Sequence, residues 1–308
     1  MKYPEPLDVT VYPRQYGIAT FMRLPHITHL KELDVAILGI PFDTSLGYRV
    51  GTRMGPREIR ACSASVRLYN SALKVNPFKK HRIADYGDLL VDPYSIEKTY
   101  ELIESGIDKL MENNVIPVSV GGDHGITYPI LKSIAKKHGP VALVVIDAHP
   151  DTHDTQFGHK LTHAGPWRRA IEQKALIPHK VIEIGIRGTL FSEEDLAYGE
   201  KQGFRVWTAE EFMSENIEKV KAEIHQIVGD TKCYFSLDID GLDLSTAPGT
   251  GAPEIGGLSN LHALQVIRSL VGLNLVGADI VEVSPPLDTG NVTSLLASHL
   301  LYEMICVI

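Results

Sequence analysis

The chain has 308 residues, 44% of them hydrophobic and 22% charged, and a formal net charge of −8. This composition supplies a large apolar core, and the length is within reach of one large α/β domain. The negative balance argues against a nucleic-acid backbone or an anionic membrane as partner. Cys62, Cys233 and Cys306 are few, odd in number and far apart, which reads as reduced, mostly buried thiols of an intracellular protein. The first residues carry no apolar signal-peptide run, and no stretch approaches the roughly eighteen apolar residues of a membrane span. The expectation is a soluble, cytoplasmic protein.

Apolar, β-branched runs predict strands at Asp34–Ile40, Arg82–Tyr86, Val115–Val120, Val141–Ile146, Lys180–Ile186, Phe204–Trp207, Lys232–Leu237 and Asn274–Val281. Helical periodicity predicts helices at Glu58–Leu68, after Gly55-Pro56, and at Ser95–Asn113, Glu210–Val228, Ser259–Val271 and Asn291–Ile308. The last is apolar but interrupted by Ser298, His299 and Glu303, so it reads as a core helix. Strands apolar throughout and alternating with helices imply a mainly parallel sheet covered on both faces. No linker, repeat or low-complexity segment divides the chain, which reads as one domain.

Ligand sites in such sheets lie beyond the carboxyl ends of the strands. Four predicted strands end there in polar groups: Gly121-Gly122-Asp123-His124, Asp147-Ala148-His149-Pro150-Asp151, Asp238-Ile239-Asp240, and Glu282. Residues two apart on extended backbone point the same way, so the members of each cluster can converge. Isolated Asp-x-Asp pairs are usually turn formers; four converging strand ends reverse that reading. Carboxylates left uncompensated at the end of an apolar strand cost several kcal/mol each to desolvate, and a cation removes that cost.

His124, Asp147, His149, Asp151, Asp238 and Asp240 supply a formal −4, which matches two divalent cations. A His and carboxylate set without cysteine suits Mn²⁺, Ni²⁺, Co²⁺ or Fe²⁺ better than a structural zinc site. A pair of ions roughly 3.5 Å apart acidifies a water held between them, which points to metal-assisted hydrolysis. Gly121-Gly122 fits no phosphate-loop frame and reads as the tight turn that delivers His124.

These segments resemble the ureohydrolases, the family of arginases, agmatinases and guanidino-acid hydrolases. The likeness is carried by Gly121–His124, Asp147–Asp151, Ser236-Leu-Asp-Ile-Asp-Gly-Leu-Asp243, Ala247-Pro-Gly-Thr-Gly251 and Asp279-Ile-Val-Glu-Val-Ser-Pro-Pro286. Gly39–Gly47 and Gly51–Arg60 resemble the agmatinase branch. The resemblance covers Leu33 to the C-terminus, with residues 1–32 an extension packing on the core or on a neighbouring subunit.

It implies a three-layer α/β/α sandwich, a single ureohydrolase domain over 1–308, and a homo-oligomer, trimer or hexamer. It also implies two metal ions, Mn²⁺ first and Ni²⁺ second. One falls to His124, Asp147, Asp151 and Asp238, the other to Asp147, His149, Asp238 and Asp240. The implied reaction is attack of a bridging hydroxide on the guanidinium carbon of a linear guanidino compound, releasing urea and an amine. Agmatine and 4-guanidinobutyrate are the first candidate substrates. Glu282 matches the acid that orients the guanidinium. His163 matches the loop histidine that passes a proton to the departing amine, work suited to an imidazole titrating near pH 7. Asp151 serves catalysis as well as metal binding, and His153 is a candidate substrate contact.

Asp123, Asp243 and Ser236 read as support for the ligands and their loops. Trp167-Arg168-Arg169 places two arginines on one helical turn, where they are expected to face solvent or a neighbouring subunit. Three departures from the family pattern stand out: His163-Ala164-Gly165 for His-Gly-Thr, Asp243-Leu244 for Asp-Pro, and Ala252-Pro253 for Thr-Pro. The first and third fall beside the expected substrate pocket. The first leaves room for an N-alkylated guanidine or a biguanide. Hydrolysis of another C–N bond, as in formiminoglutamate, and a non-catalytic subunit of a hetero-oligomer are the competing readings.

Overall fold

A computed structural model describes residues 5–308. Eight strands form one parallel sheet: β1 (Val35–Ile40), β2 (Ile83–Asp88), β3 (Ile116–Gly121), β4 (Val141–Ile146), β5 (Leu176–Ile186), β6 (Arg205–Thr208), β7 (Lys232–Asp238) and β8 (Asn274–Val281). Their order across the sheet is β2-β1-β3-β8-β7-β4-β5-β6. All eight predicted strands are present. The chief boundary difference is β5, which starts at Leu176 rather than Lys180; Leu176 is buried, but Ile177 and Pro178 are half-buried and His179 is exposed, which breaks the continuous apolar run.

The principal helices are α1 (Gly55–Cys62), α2 (Pro77–Lys80), α3 (Ile96–Glu112), α4 (Thr127–His138), α5 (Pro166–Glu172), α6 (Glu194–Gln202), α7 (Ala209–Ser214), α8 (Ile217–Val228), α9 (Asn260–Ser269) and α10 (Val292–Val307). The helix expected over Glu58–Leu68 ends at Cys62 and tightens into a 3₁₀ turn over Ser63–Ser65. There Ser63 Oγ donates to Arg60 O and Ser65 Oγ to Cys62 O, and such hydroxyls compete with the helical ladder. The single helix expected over Glu210–Val228 is two. Thr208 caps α7 in a capping box with Glu211, and Asn216 restarts the chain by accepting from Glu218 N at the start of α8. Helices α2, α4 and α6 are additions to the sequence reading.

Successive side chains of β4 divide the interior in two. Ala142, Val144 and Ile146 join a core with Ile59, Phe212, Val220, Ile224, Ile267 and Leu300, from α1 and α7–α10. Val141, Leu143 and Val145 join a second with Ile103, Ile107, Ile130, Ile134 and Trp167, from α3–α5. The sheet is therefore the middle of three layers, and it is buried on both faces because helices cover both. Ahead of β1, Phe21, Met22 and Leu24 are buried in the first core, with the Arg60 guanidinium 4.3 Å from the Phe21 ring centroid. The expected extension begins at Met1, and Met1–Pro4 lie outside the described residues. Among the described residues no helix is long and apolar enough to cross a membrane.

Candidate metal centre

Strands β3, β8, β7 and β4 are consecutive in the sheet, so their carboxyl ends deliver the polar clusters to one stretch of rim. After β3 the chain turns at Gly122, where a Cβ would sit 1.6 Å from Phe42 O. Only glycine fits that close backbone approach. Asp123 then accepts from Gly125 N and Ser45 N, which fixes the turn that presents His124. Asp151 and Glu282 adopt left-handed backbone, with φ of 42° and 63°. Both are costly for residues other than glycine and are held by the surrounding structure.

The His124 ring is fully buried. Its Nδ1 is 3.1 Å from Asp147 Oδ2, 3.0 Å from Asp151 Oδ2 and 3.2 Å from Asp238 Oδ2. His149 Nδ1 is 3.2 Å from Asp240 Oδ2 and 3.6 Å from Asp147 Oδ1. Backbone N–H groups anchor three carboxylate oxygens: His149 N donates to Asp147 Oδ1, Asp240 N to Asp238 Oδ1 and Ala148 N to Asp240 Oδ1. Two compact ligand groups result, His124/Asp147/Asp151 and Asp147/His149/Asp240, sharing Asp147. Asp238, through its contact with His124, stands against the first.

Protons serve this arrangement poorly. One ring N–H cannot satisfy three carboxylates, and His124 Nδ1 and Asp147 Oδ2 are buried without a hydrogen-bond partner. Burial opposes charge on both rings, yet the carboxylates raise His124 and push His149 up to about 12. Burial pushes Asp151 up to about 7 and holds Asp238 well above the usual carboxylate range, with neighbouring carboxylates adding to it. A pair of divalent cations resolves all of these conflicts, and the donor set fits them.

Glu282 Oε1 accepts from His124 N at 2.8 Å, which ties the acid to the ligand loop. Burial, then the charges of Asp238 and Asp123, raise its carboxyl well above the usual range. His163 Nδ1 is 3.9 Å from Glu282 Oε1. Burial, and then the positive charges of His124 and His149, push this imidazole down to about 4. That lies below the value near 7 expected of it. His153 reaches the same cavity with its ring against Phe191.

Ser236 Oγ is 3.0 Å from His124 Nε2. Asp243 accepts from Ser245 N and Gly257 N and braces the turn beyond Asp240. The expectation for the arginine pair is corrected at Arg169. Arg169 is buried, bonded to Asp154 at 2.7 Å and Glu172 at 3.1 Å, while Arg168 stacks on Tyr198. Helix α5 packs Trp167 against His124.

Two further residues near the cluster escaped the sequence reading. Arg187, just past β5, donates to the carbonyls of Asp240, Gly241, Leu242 and Glu254 and so clamps the Asp240 loop. Its place beyond a strand end was the available signal. Glu183 is buried within β5 near Asp147 and Asp151, and burial holds its carboxyl well above the usual range. A lone acid in an apolar strand was the signal there.

A cavity of about 400 Å³ opens over the cluster, with His149, Asp151, Asp238, Asp240 and Glu282 in its wall. Tyr48, Phe157 and Phe191, all largely exposed, also line it, with Asp195 and Glu254. The departing residues Ala164 and Ala252 line it too.

A sequence model of the arginase family matches residues 33–306. The chain belongs to the arginase family. This arginase-family ureohydrolase is 46% identical to the guanidinobutyrase of Pseudomonas aeruginosa over 99% of this chain and 96% of that one. It is 42% identical to the mitochondrial agmatinase of Gallus gallus over 100% of this chain and 90% of that one. Among solved structures, proclavaminate amidinohydrolase from Streptomyces clavuligerus superposes with a TM-score of 0.91 at 36% identity, over 96% of this chain and 100% of that one.

Proposed function

We propose that this chain is an amidinohydrolase that cleaves a linear guanidino compound to urea and an amine, using two divalent ions held by His124, Asp147, His149, Asp151, Asp238 and Asp240. The observation that carries this reading is the pair of clusters sharing Asp147 at the base of a cavity, with Glu282 beside them. Manganese is the first choice of metal and nickel the second. When bound, the ions supply Lewis acidity and a strongly acidified water.

The residues supply the rest. One Glu282 oxygen is anchored by His124 N, which leaves the other for a guanidinium N–H. His163, neutral at pH 7, has a ring lone pair with which to take a proton and pass it to the amine nitrogen as the C–N bond breaks. Trp167 and the two cores exclude water from behind the ligands.

The cavity wall favours a tail without negative charge. It contains Asp195 and Glu254 and, among the described residues, no lysine or arginine, so agmatine matches it better than a guanidino acid. The second reading, a guanidino acid such as 4-guanidinobutyrate, is favoured by the 46% identity to a guanidinobutyrase, with His153 as the available donor to a carboxylate. The single-domain reading, a homo-oligomer with residues 1–32 packing on the core or a neighbour, and a cytoplasmic setting complete the proposal.

Mn²⁺- or Ni²⁺-loaded protein incubated with agmatine, 4-guanidinobutyrate and N-alkylguanidines should release urea, agmatine giving the highest kcat/KM. No urea from any of them, with both ions bound, overturns the reaction. Ammonia or formamide from formimino compounds would move the chain to another C–N bond. A higher kcat/KM for 4-guanidinobutyrate would overturn only the choice of tail.

A further inference from the structure

The register of β7 and β8 sets Ser236 beside Asp279, and both are fully buried. Ser236 Oγ donates to Asp279 Oδ1 at 2.6 Å, while Thr127 Oγ1 and Tyr234 OH donate to Asp279 Oδ2 at 2.6 and 2.8 Å. The two 2.6 Å contacts fall in the range of charge-assisted O–H···O⁻ bonds.

A hydroxyl has one hydrogen. With that of Ser236 committed to Asp279, the 3.0 Å contact to His124 Nε2 requires the ring to donate. The proton of the neutral ring is then on Nε2, and Nδ1 turns a lone pair toward Asp147, Asp151 and Asp238.

We infer that Asp279 is a positioning residue which, through Ser236, fixes the tautomer of His124 that can ligate a divalent cation. The inference rests on the reading of His124 as a metal ligand. It assigns a task to three groups the reaction does not touch: Asp279 orients Ser236, while Thr127 and Tyr234 hold Asp279 in place.

Asp279→Asn keeps the shape and reverses the donors. Two hydroxyls face the Oδ2 position and one faces Oδ1, so the amide oxygen is favoured beside Thr127 and Tyr234 and the amide nitrogen beside Ser236. The Ser236 hydrogen then turns to His124 Nε2 and drives the ring proton onto Nδ1, against the cation. Ser236→Ala removes the constraint without reversing it.

The test is calorimetric titration of the full chain with Mn²⁺ alone. Wild type should take up two ions per chain. In Asp279→Asn one of the two should bind roughly 10–100-fold more weakly, as when the group orienting a metal-bound histidine is lost, and Ser236→Ala should show a smaller loss at the same site. The other ion, at His149, should keep its wild-type affinity, and excess Mn²⁺ should restore two ions and urea release. Two ions at wild-type affinity in both variants, or equal weakening of both sites, overturns the inference. If Asp279→Asn fails to fold, Ser236→Ala decides by the same criterion. Failure of wild type to bind Mn²⁺ overturns the metal reading itself.

Discussion

His163 sits at the mouth of the metal cluster with its imidazole pushed down to about 4 by burial and by the positive charge of His124 and His149. Divalent ions in place of those protons act in the same direction. A ring kept neutral in the folded state and charged more readily in the unfolded chain binds fewer protons when folded. Its contribution to stability is therefore complete above pH 6.5 and drains away as pH falls through 4. Thermal melts of Mn²⁺-loaded wild type and His163→Gln from pH 7.5 to 4 should show the wild type losing more stability over that window. Equal slopes would place the folded value of His163 near its ordinary one. His163→Ala should lower kcat by about 10²–10⁴-fold with both ions retained, measured by urea release and metal analysis; an unchanged kcat would remove it from proton transfer. At this scale the convergence of His124, Asp147, His149, Asp151 and Asp240 was legible, because alternate residues at strand ends must point together. The lowering of His163 was not, since its largest cause is burial, which the fold sets.

Among the elements, the C-terminal end of β3 bears the tightest constraint. Gly122 touches Phe42 backbone, and its carbonyl accepts from Glu282 N, so one residue sets the placement of both His124 and Glu282. Gly122→Ala should separate β3 from the segment after β1, lower Tm by several degrees and reduce metal content. A variant with wild-type Tm and two ions would show that the backbone there yields easily. The strands were readable because β-branched runs buried on both faces leave few alternatives. The divided α7 and α8 and the shortened α1 were not, because the side chains that stop them, Asn216 and Ser63, also occur within helices. The contacts of Arg187 and Asp279 were hidden for another reason: each is made to a segment distant in sequence, which periodicity within one segment does not contain.

For the whole molecule, the order β3-β8-β7-β4 brings residues over 150 positions apart into one buried acidic cluster, and the two apolar cores on either side make an uncompensated charge there expensive. The same order leaves the cavity open above that cluster, so ions and a guanidinium reach it from one side. Family membership and fold followed from motifs at four strand ends. The tail of the substrate did not, because it is met by loops such as those bearing Tyr48, Phe157 and Phe191, whose paths no motif dictates. Everything proposed for the reaction depends on two cations between His124 and His149. Anomalous diffraction at the manganese edge, from crystals of the full chain grown with Mn²⁺, reads this directly. The account predicts two peaks roughly 3.5 Å apart, one against His124, Asp147, Asp151 and Asp238 and the other against Asp147, His149, Asp238 and Asp240. A single peak, or none with these side chains in place, would contradict it.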